Sequence, residues 1–144
     1  MNRAALRETV FKVLFRYEFH DLESFKNQIN LFFSEYPENS DEEDDEKWPA
    51  LTETSVVTIT DKVTDILSKL SEIDAKIEEN CSGWKFDRIG KAELSILRVA
   101  VYEIMFDEST DVAVSISEAV KLSKKYCDDK THAFVNGVLA KFIK

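Results

Sequence analysis

The sequence predicts an all-α fold, a helical bundle built around one buried central helix, and three observations carry that reading. Only three glycines and two prolines occur in 144 residues, too few for the tight turns of a β fold and well suited to a few long helices. The segment Ile89–Phe106 is apolar in almost every direction around a helix, through Leu94, Ile96, Leu97, Val99, Ala100, Val101, Tyr102, Ile104, Met105 and Phe106. Such a helix belongs inside a core with neighbours on several sides. Thirdly, Val56, Ile59, Val63, Ile66, Leu70, Ile73 and Ile77 step by threes and fours, a heptad seam three heptads long. A chain of this length fits one domain and can bury a real core.

In chain order, Asn2 is placed to cap a first helix running to about Phe19. Leu6, Val10, Val13, Leu14 and Tyr17 form one stripe, and Phe11, Phe15 and Phe19 form a second. Two stripes predict burial against more than one neighbour, or a core face plus an exposed aromatic face. Residues 21–34 form a second amphipathic helix capped by Asp21, with Leu22, Phe25, Ile29, Phe32 and Phe33 inward and Pro37 ending the region. The acidic run within 37–47 repels itself and has nothing to bury, which makes it a solvated loop; it lacks the spacing of a calcium-binding hand. Trp48 and Pro49 tie that loop back to the body.

The short Val-Val-Thr-Ile-Thr stretch before residue 61 has strand propensity, but the seam that continues through it decides for a helix capped by Thr52 or Thr54. Unbroken to Asn80 that helix would be about 40 Å long, so a kink is expected near Ser71. The seam serves the core of the bundle; homodimerisation is the other use of such a seam. Cys81 to Trp84 break the helix, and a short turn leads into the central one. Arg98, in the middle of the apolar segment, must snorkel or pair with a carboxylate, for which Glu118 is the candidate; a partner-facing role is the alternative. Ser115 with Glu118 reads as a capping box opening the next helix. A last helix begins at about Thr131, and Gly137 within it predicts close approach of another helix.

Net charge is −9 but unevenly placed. The first sixteen residues carry Arg3, Arg7, Lys12 and Arg16 against Glu8 alone, whereas residues 17–83 hold five lysines against eighteen acids. The total argues against a nucleic-acid partner, yet binding depends on local charge. Arg3 and Arg7 are therefore candidate phosphate contacts, with ordinary solvated charge as the alternative. Lys121, Lys124 and Lys125 crowd the end of a helix, where cations suit the helix dipole, and also make a basic cluster beside Tyr126 and Lys130.

No glycine-rich phosphate loop, nucleophile elbow or zinc-helix motif is present, and His20 and His132 stand without a triad or metal set. That argues against an enzyme. Cys81 and Cys127 are unclustered, as free thiols in a reducing cytosol are. Arg7 and Glu8 interrupt any signal-peptide core, and Glu93, Arg98 and Glu103 make the central helix too charged to span a bilayer.

Laid end to end, these elements resemble the NusB family of bacterial transcription antitermination factors over nearly the whole chain. Arg7-Glu-Thr-Val-Phe-Lys-Val-Leu-Phe15 is similar to the family's N-terminal helix, and Ile96-Leu-Arg-Val-Ala-Val-Tyr-Glu103 to its central helix. Val114 to Tyr126, followed by Thr131-His-Ala-Phe-Val-Asn-Gly-Val-Leu139, is similar to its C-terminal signature. The resemblance implies two small helical subdomains, about 1–80 and 81–144, and a cytoplasmic protein with no catalytic activity and no cofactor. It implies binding of single-stranded boxA RNA of ribosomal RNA operons as a heterodimer with NusE, a small-subunit ribosomal protein. It also implies that the pair joins RNA polymerase and other Nus factors in an antitermination complex. RNA-binding positions carried over residue by residue are Arg3, Arg7, Lys124, Lys125, Tyr126, Lys130 and Phe134, with a core role as the other reading of Phe134. Phe15 and Glu93 are carried over to the partner-facing side. The sequence departs from the pattern at Ala4 and Ala5, where many relatives have arginine, at Lys130, where relatives often carry Asp, and at Phe15, which replaces a frequent Tyr. Fewer basic groups mean weaker unaided RNA binding. An accessory domain for an RNA-modifying enzyme and a homodimer that buries its own RNA face remain as alternatives.

Overall fold

The computed structural model describes residues 1–37, 49–81, 83 and 85–143, so the acidic run, Trp48 and Trp84 lie outside the described residues. Among the described residues there are seven α-helices and no strand. They are α1 (Arg3–Tyr17), α2 (Leu22–Ser34), α3 (Glu53–Ser68), α4 (Leu70–Glu79), α5 (Lys91–Phe106), α6 (Val112–Tyr126) and α7 (Thr131–Ala140), with a 3-10 turn at Phe86–Arg88 before α5. No described helix is long and apolar enough to cross a membrane. The chain divides into two compact units, Met1–Asp65 and Ile66–Lys144.

In the first unit, local chemistry sets the helix starts. Asn2 sits in extended backbone and its Oδ1 accepts from the Ala5 N–H at 2.7 Å. Asp21 does the same for Ser24 at 2.8 Å, and Thr52 Oγ1 accepts from the Ser55 N–H at 3.1 Å. Each side chain satisfies an amide that the helix itself leaves open. Val10, Phe11, Val13 and Leu14 of α1 are buried, as are Phe25, Ile29 and Phe32 of α2 and Ile59 and Val63 of α3. Leu22, expected inward, is 62% exposed, because it lies on the first turn beyond the reach of the α1 core face. Arg16 ties α1 to α2: its guanidinium reaches Gln28 Oε1 and Glu35 Oε2, both at 3.3 Å, and lies 5.2 Å from the centre of the Phe32 ring. The Tyr36 hydroxyl donates to the Pro49 carbonyl, and burial raises the Tyr36 pKa.

The seam helix breaks at Lys69, two residues before the expected kink. The Lys69 N–H turns to Ile66 O (3.1 Å), and helical bonding resumes with Ile73 N–H to Lys69 O (3.0 Å). Five of the seven seam residues, Ile59, Val63, Ile66, Ile73 and Ile77, are buried, whereas Val56 and Leu70 are half-buried. Lys69 then directs its ammonium to within 5.3 Å of the Phe106 ring centre, a cation–π contact.

The second unit is organised around α5, which packs against α4, α6 and α7. Every residue from Leu94 to Glu103 is buried, as the all-round apolar sequence predicts. Arg98 is held by Asp74 of α4 through two parallel bonds, Nε to Oδ1 and a terminal nitrogen to Oδ2, both 2.9 Å. Asp74 thus supplies a two-point carboxylate that the sequence reading did not name, and Glu118 accepts from Lys121 at 3.2 Å. Ser115 does not open α6. Asp111 does, accepting from the Ala113 N–H at 3.2 Å, so the helix starts four residues earlier and Ser115 becomes an interior residue. Its hydroxyl is buried without a hydrogen-bond partner. Gly137 also departs from expectation. It is exposed on α7, and among the described residues an added Cβ would meet nothing within 4 Å, so none of them requires its smallness.

Candidate nucleic-acid interface

In the first unit, Arg3 opens α1 and is exposed, whereas Arg7 is only 7% exposed. Helical spacing explains the difference. Arg7 shares a face with Val10, Phe11 and Leu14 at i+3, i+4 and i+7, which is the core face. Sequence reasoning grouped Arg3 with Arg7 as basic residues near the N-terminus; the structure buries the second and leaves Arg3 exposed.

Phe15 sits in the middle of a ladder of rings. Its centre lies 6.2 Å from that of Phe11 and 5.2 Å from that of Phe19, the latter edge-to-face. The ladder runs from the buried Phe11 through a half-buried Phe15 to Phe19, which is 56% exposed. The second aromatic stripe of α1 is therefore a core stripe at one end and a solvent-facing one at the other.

In the second unit, the candidate residues gather where α6 ends and α7 begins. Lys124, Lys125, Tyr126 and Lys130 are all exposed. Lys125 Nζ lies 5.5 Å from the Tyr126 ring centre, which places a cation and a stacking face side by side. Phe134, one turn into α7, is half-buried. Two acids from the same loop, Asp128 and Asp129, are exposed among these lysines and dilute their field.

Glu93 is fixed from both sides. Oε2 accepts from the Gly90 N–H at 3.2 Å, closing the first turn of α5, and Oε1 accepts from Thr131 Oγ1 at 3.1 Å. A Cβ on residue 90 would stand 3.1 Å from the Glu93 carboxyl, so glycine is what lets the side chain fold back. The Thr131 hydroxyl also lies 2.7 Å from Asp128 Oδ1. Sequence reasoning named Glu93 but missed Thr131 and Asp128; an acid three residues before the first residue of a helix was the available signal. Cys127 borders this group. Burial first, then the negative charges of Glu93 and Asp128, push its thiol up to about 11, so it stays protonated near neutrality. Among the described residues, no three His, Cys, Asp or Glu side chains stand together so as to hold a metal ion.

An exposed basic strip with a stacking ring, at a helix–helix junction of an all-α chain, is chemistry suited to a phosphate backbone and unstacked bases. Comparison with known proteins leads the same way. The sequence pattern of the NusB family matches residues 4–144. The transcription antitermination protein NusB of Agathobacter rectalis is 44% identical over 142 residues, covering 99% of each chain. That of Clostridium novyi is 39% identical over 144 residues, covering all of this chain and 99% of the relative. Among solved structures, Thermotoga maritima NusB superposes with a TM-score of 0.75 at 28% identity, over 99% of this chain and 90% of that one. A chain from a crystal structure of antitermination factors NusB and NusE in complex with double-stranded RNA superposes with a TM-score of 0.72 at 27% identity, over 97% and 94%. On the strength of the fold and of matches that span almost the whole chain, this protein belongs to the NusB family.

Proposed function

We propose that the chain is a transcription antitermination factor that binds the boxA RNA of ribosomal RNA operons as a heterodimer with NusE and joins the RNA polymerase antitermination complex. The observation that carries this reading is the match, end to end, to proteins described as transcription antitermination protein NusB, together with the likeness to a chain solved with NusE and RNA. The work is binding and assembly, with no bond made or broken.

Roles follow from exposure. Arg3, Lys124, Lys125 and Lys130 offer charge to phosphates, and Tyr126 offers a ring to a base. Phe134, half-buried one turn into α7, is the second candidate ring. Arg7 supports α1 from within and presents no charge to a phosphate without rearrangement. Phe15 and Glu93 serve the partner side, the former as the half-buried middle ring of the ladder. With a net charge of −9, the chain also attracts a basic protein, and electrostatic attraction of this kind speeds encounter more than it tightens the final complex. BoxA is read single-stranded in this account; the similar chain was solved with a duplex, so both forms belong in any binding assay.

Light scattering after gel filtration tests the assembly claim. A 1:1 complex forming on addition of the organism's NusE is the expected result. A stable homodimer that excludes NusE would overturn it.

A further inference from the structure

The Thr131 hydroxyl has one proton and two carboxylates to give it to. Asp128 Oδ1, three residues before it, lies at 2.7 Å, and Glu93 Oε1, on the first turn of α5, lies at 3.1 Å. The hydroxyl is 6% exposed with its residue, so water does not readily substitute for either bond. One hydroxyl donates one strong hydrogen bond at a time. When bonded to Asp128 it closes the turn that leads from Cys127 into α7; the Thr131 N–H to Asp128 O bond, at 3.1 Å, closes the same turn from the backbone. When bonded to Glu93 it ties the start of α7 to the start of α5.

These two ends have different duties under the function proposed above, on which this inference rests. Lys130 precedes Thr131 and Phe134 follows it by less than one helical turn, so the turn sets where both stand for RNA. Glu93 is on the partner side. We propose that Thr131 is a positioning residue that couples the two. A partner that engages the Glu93 carboxylate takes it from Thr131, the hydroxyl passes wholly to Asp128, and the 127–131 turn tightens with Lys130 and Phe134 in place. NusE then strengthens RNA binding through this chain as well as through its own contacts. The coupling is the differential strength of one hydrogen bond, which is enough for a several-fold effect.

The test is the ratio of RNA affinities with and without NusE, measured by fluorescence anisotropy on the full-length chain with a labelled boxA RNA. Thr131→Val keeps the shape and removes the proton; Thr131→Ser keeps the proton; Asp128→Ala leaves Glu93 as the sole acceptor. The expected result is an enhancement about three- to tenfold smaller than wild type in Thr131→Val and in Asp128→Ala, with Thr131→Ser close to wild type. Should Thr131→Val fold poorly by thermal melting, Asp128→Ala, at an exposed position, carries the comparison. An unchanged enhancement in folded Thr131→Val or Asp128→Ala overturns the inference, as does an equal loss in Thr131→Ser. Absence of any enhancement in the wild-type protein would instead overturn the functional reading beneath it.

Discussion

Arg98 and Asp74 meet across α5 and α4 in a two-point ion pair, both bonds 2.9 Å long, with the arginine side chain 7% exposed and the aspartate 23%. The asymmetry of burial fixes which half matters more. Replacing Asp74 by Ala removes both of these bonds from a buried cation and is expected to cost about 3 kcal/mol, as removing one partner of a buried pair does. Replacing Arg98 by Met leaves a carboxylate that water already reaches and puts an apolar chain in an apolar site, so about 1–2 kcal/mol is expected. Urea unfolding of the two variants checks the order; a larger loss for Arg98→Met would contradict it.

Gly137 gives a gain by the same reasoning. It lies mid-helix with open space where a Cβ would go. Gly137→Ala is expected to stabilise the protein by about 1 kcal/mol, the difference in helix propensity. A lower melting temperature in this variant would show that the open space is needed even in the free chain.

Asp21 gives a pH dependence. The Ser24 backbone N–H, then the Ser24 side chain, hold its carboxyl below the ordinary value of 3.8. A pKa depressed on folding contributes stability above the unfolded value and loses it as pH falls through the folded one. The gap in melting temperature between wild type and Asp21→Ala should therefore be constant from pH 7 to about 5 and shrink below 3.8. A gap that widens on acidification would contradict the capping role.

Lys124 and Lys125 are exposed at the end of α6. If both meet phosphates, replacing the pair by Ala lowers the slope of log affinity against log salt by about 1.4 for single-stranded RNA. A weaker affinity with an unchanged slope would assign them to the fold and not to the phosphates.

Local signals in the sequence were legible and distant ones less so. Asn2 and Asp21 cap their helices as read, because an N-cap needs only a side-chain acceptor and an amide three residues on. The seam from Ile59 to Ile77 and the burial of α5 follow from periodicity alone. Two acceptors four residues apart, Asp111 and Ser115, could each open α6, and the earlier one prevails because Val112 to Val114 continue the helix without a breaker. Pairing of Arg98 with Asp74 spans 24 residues and depends on how α4 lies on α5, which no local pattern encodes. The inward turn of Arg7 was available from its spacing to Val10, Phe11 and Leu14, but a cation on a core stripe reads first as surface charge. Thr131 was missed because its role comes from Glu93, 38 residues away.

The central claim is that this chain reads boxA RNA together with NusE. Fluorescence anisotropy with a labelled boxA RNA, a scrambled control and a duplex, each with and without the organism's NusE, tests it most directly. Tight binding to boxA over the scrambled strand, strongest when NusE is present, is the result predicted. Equal binding to all three RNAs with NusE present would contradict it, and would leave a NusB-family scaffold with some other ligand.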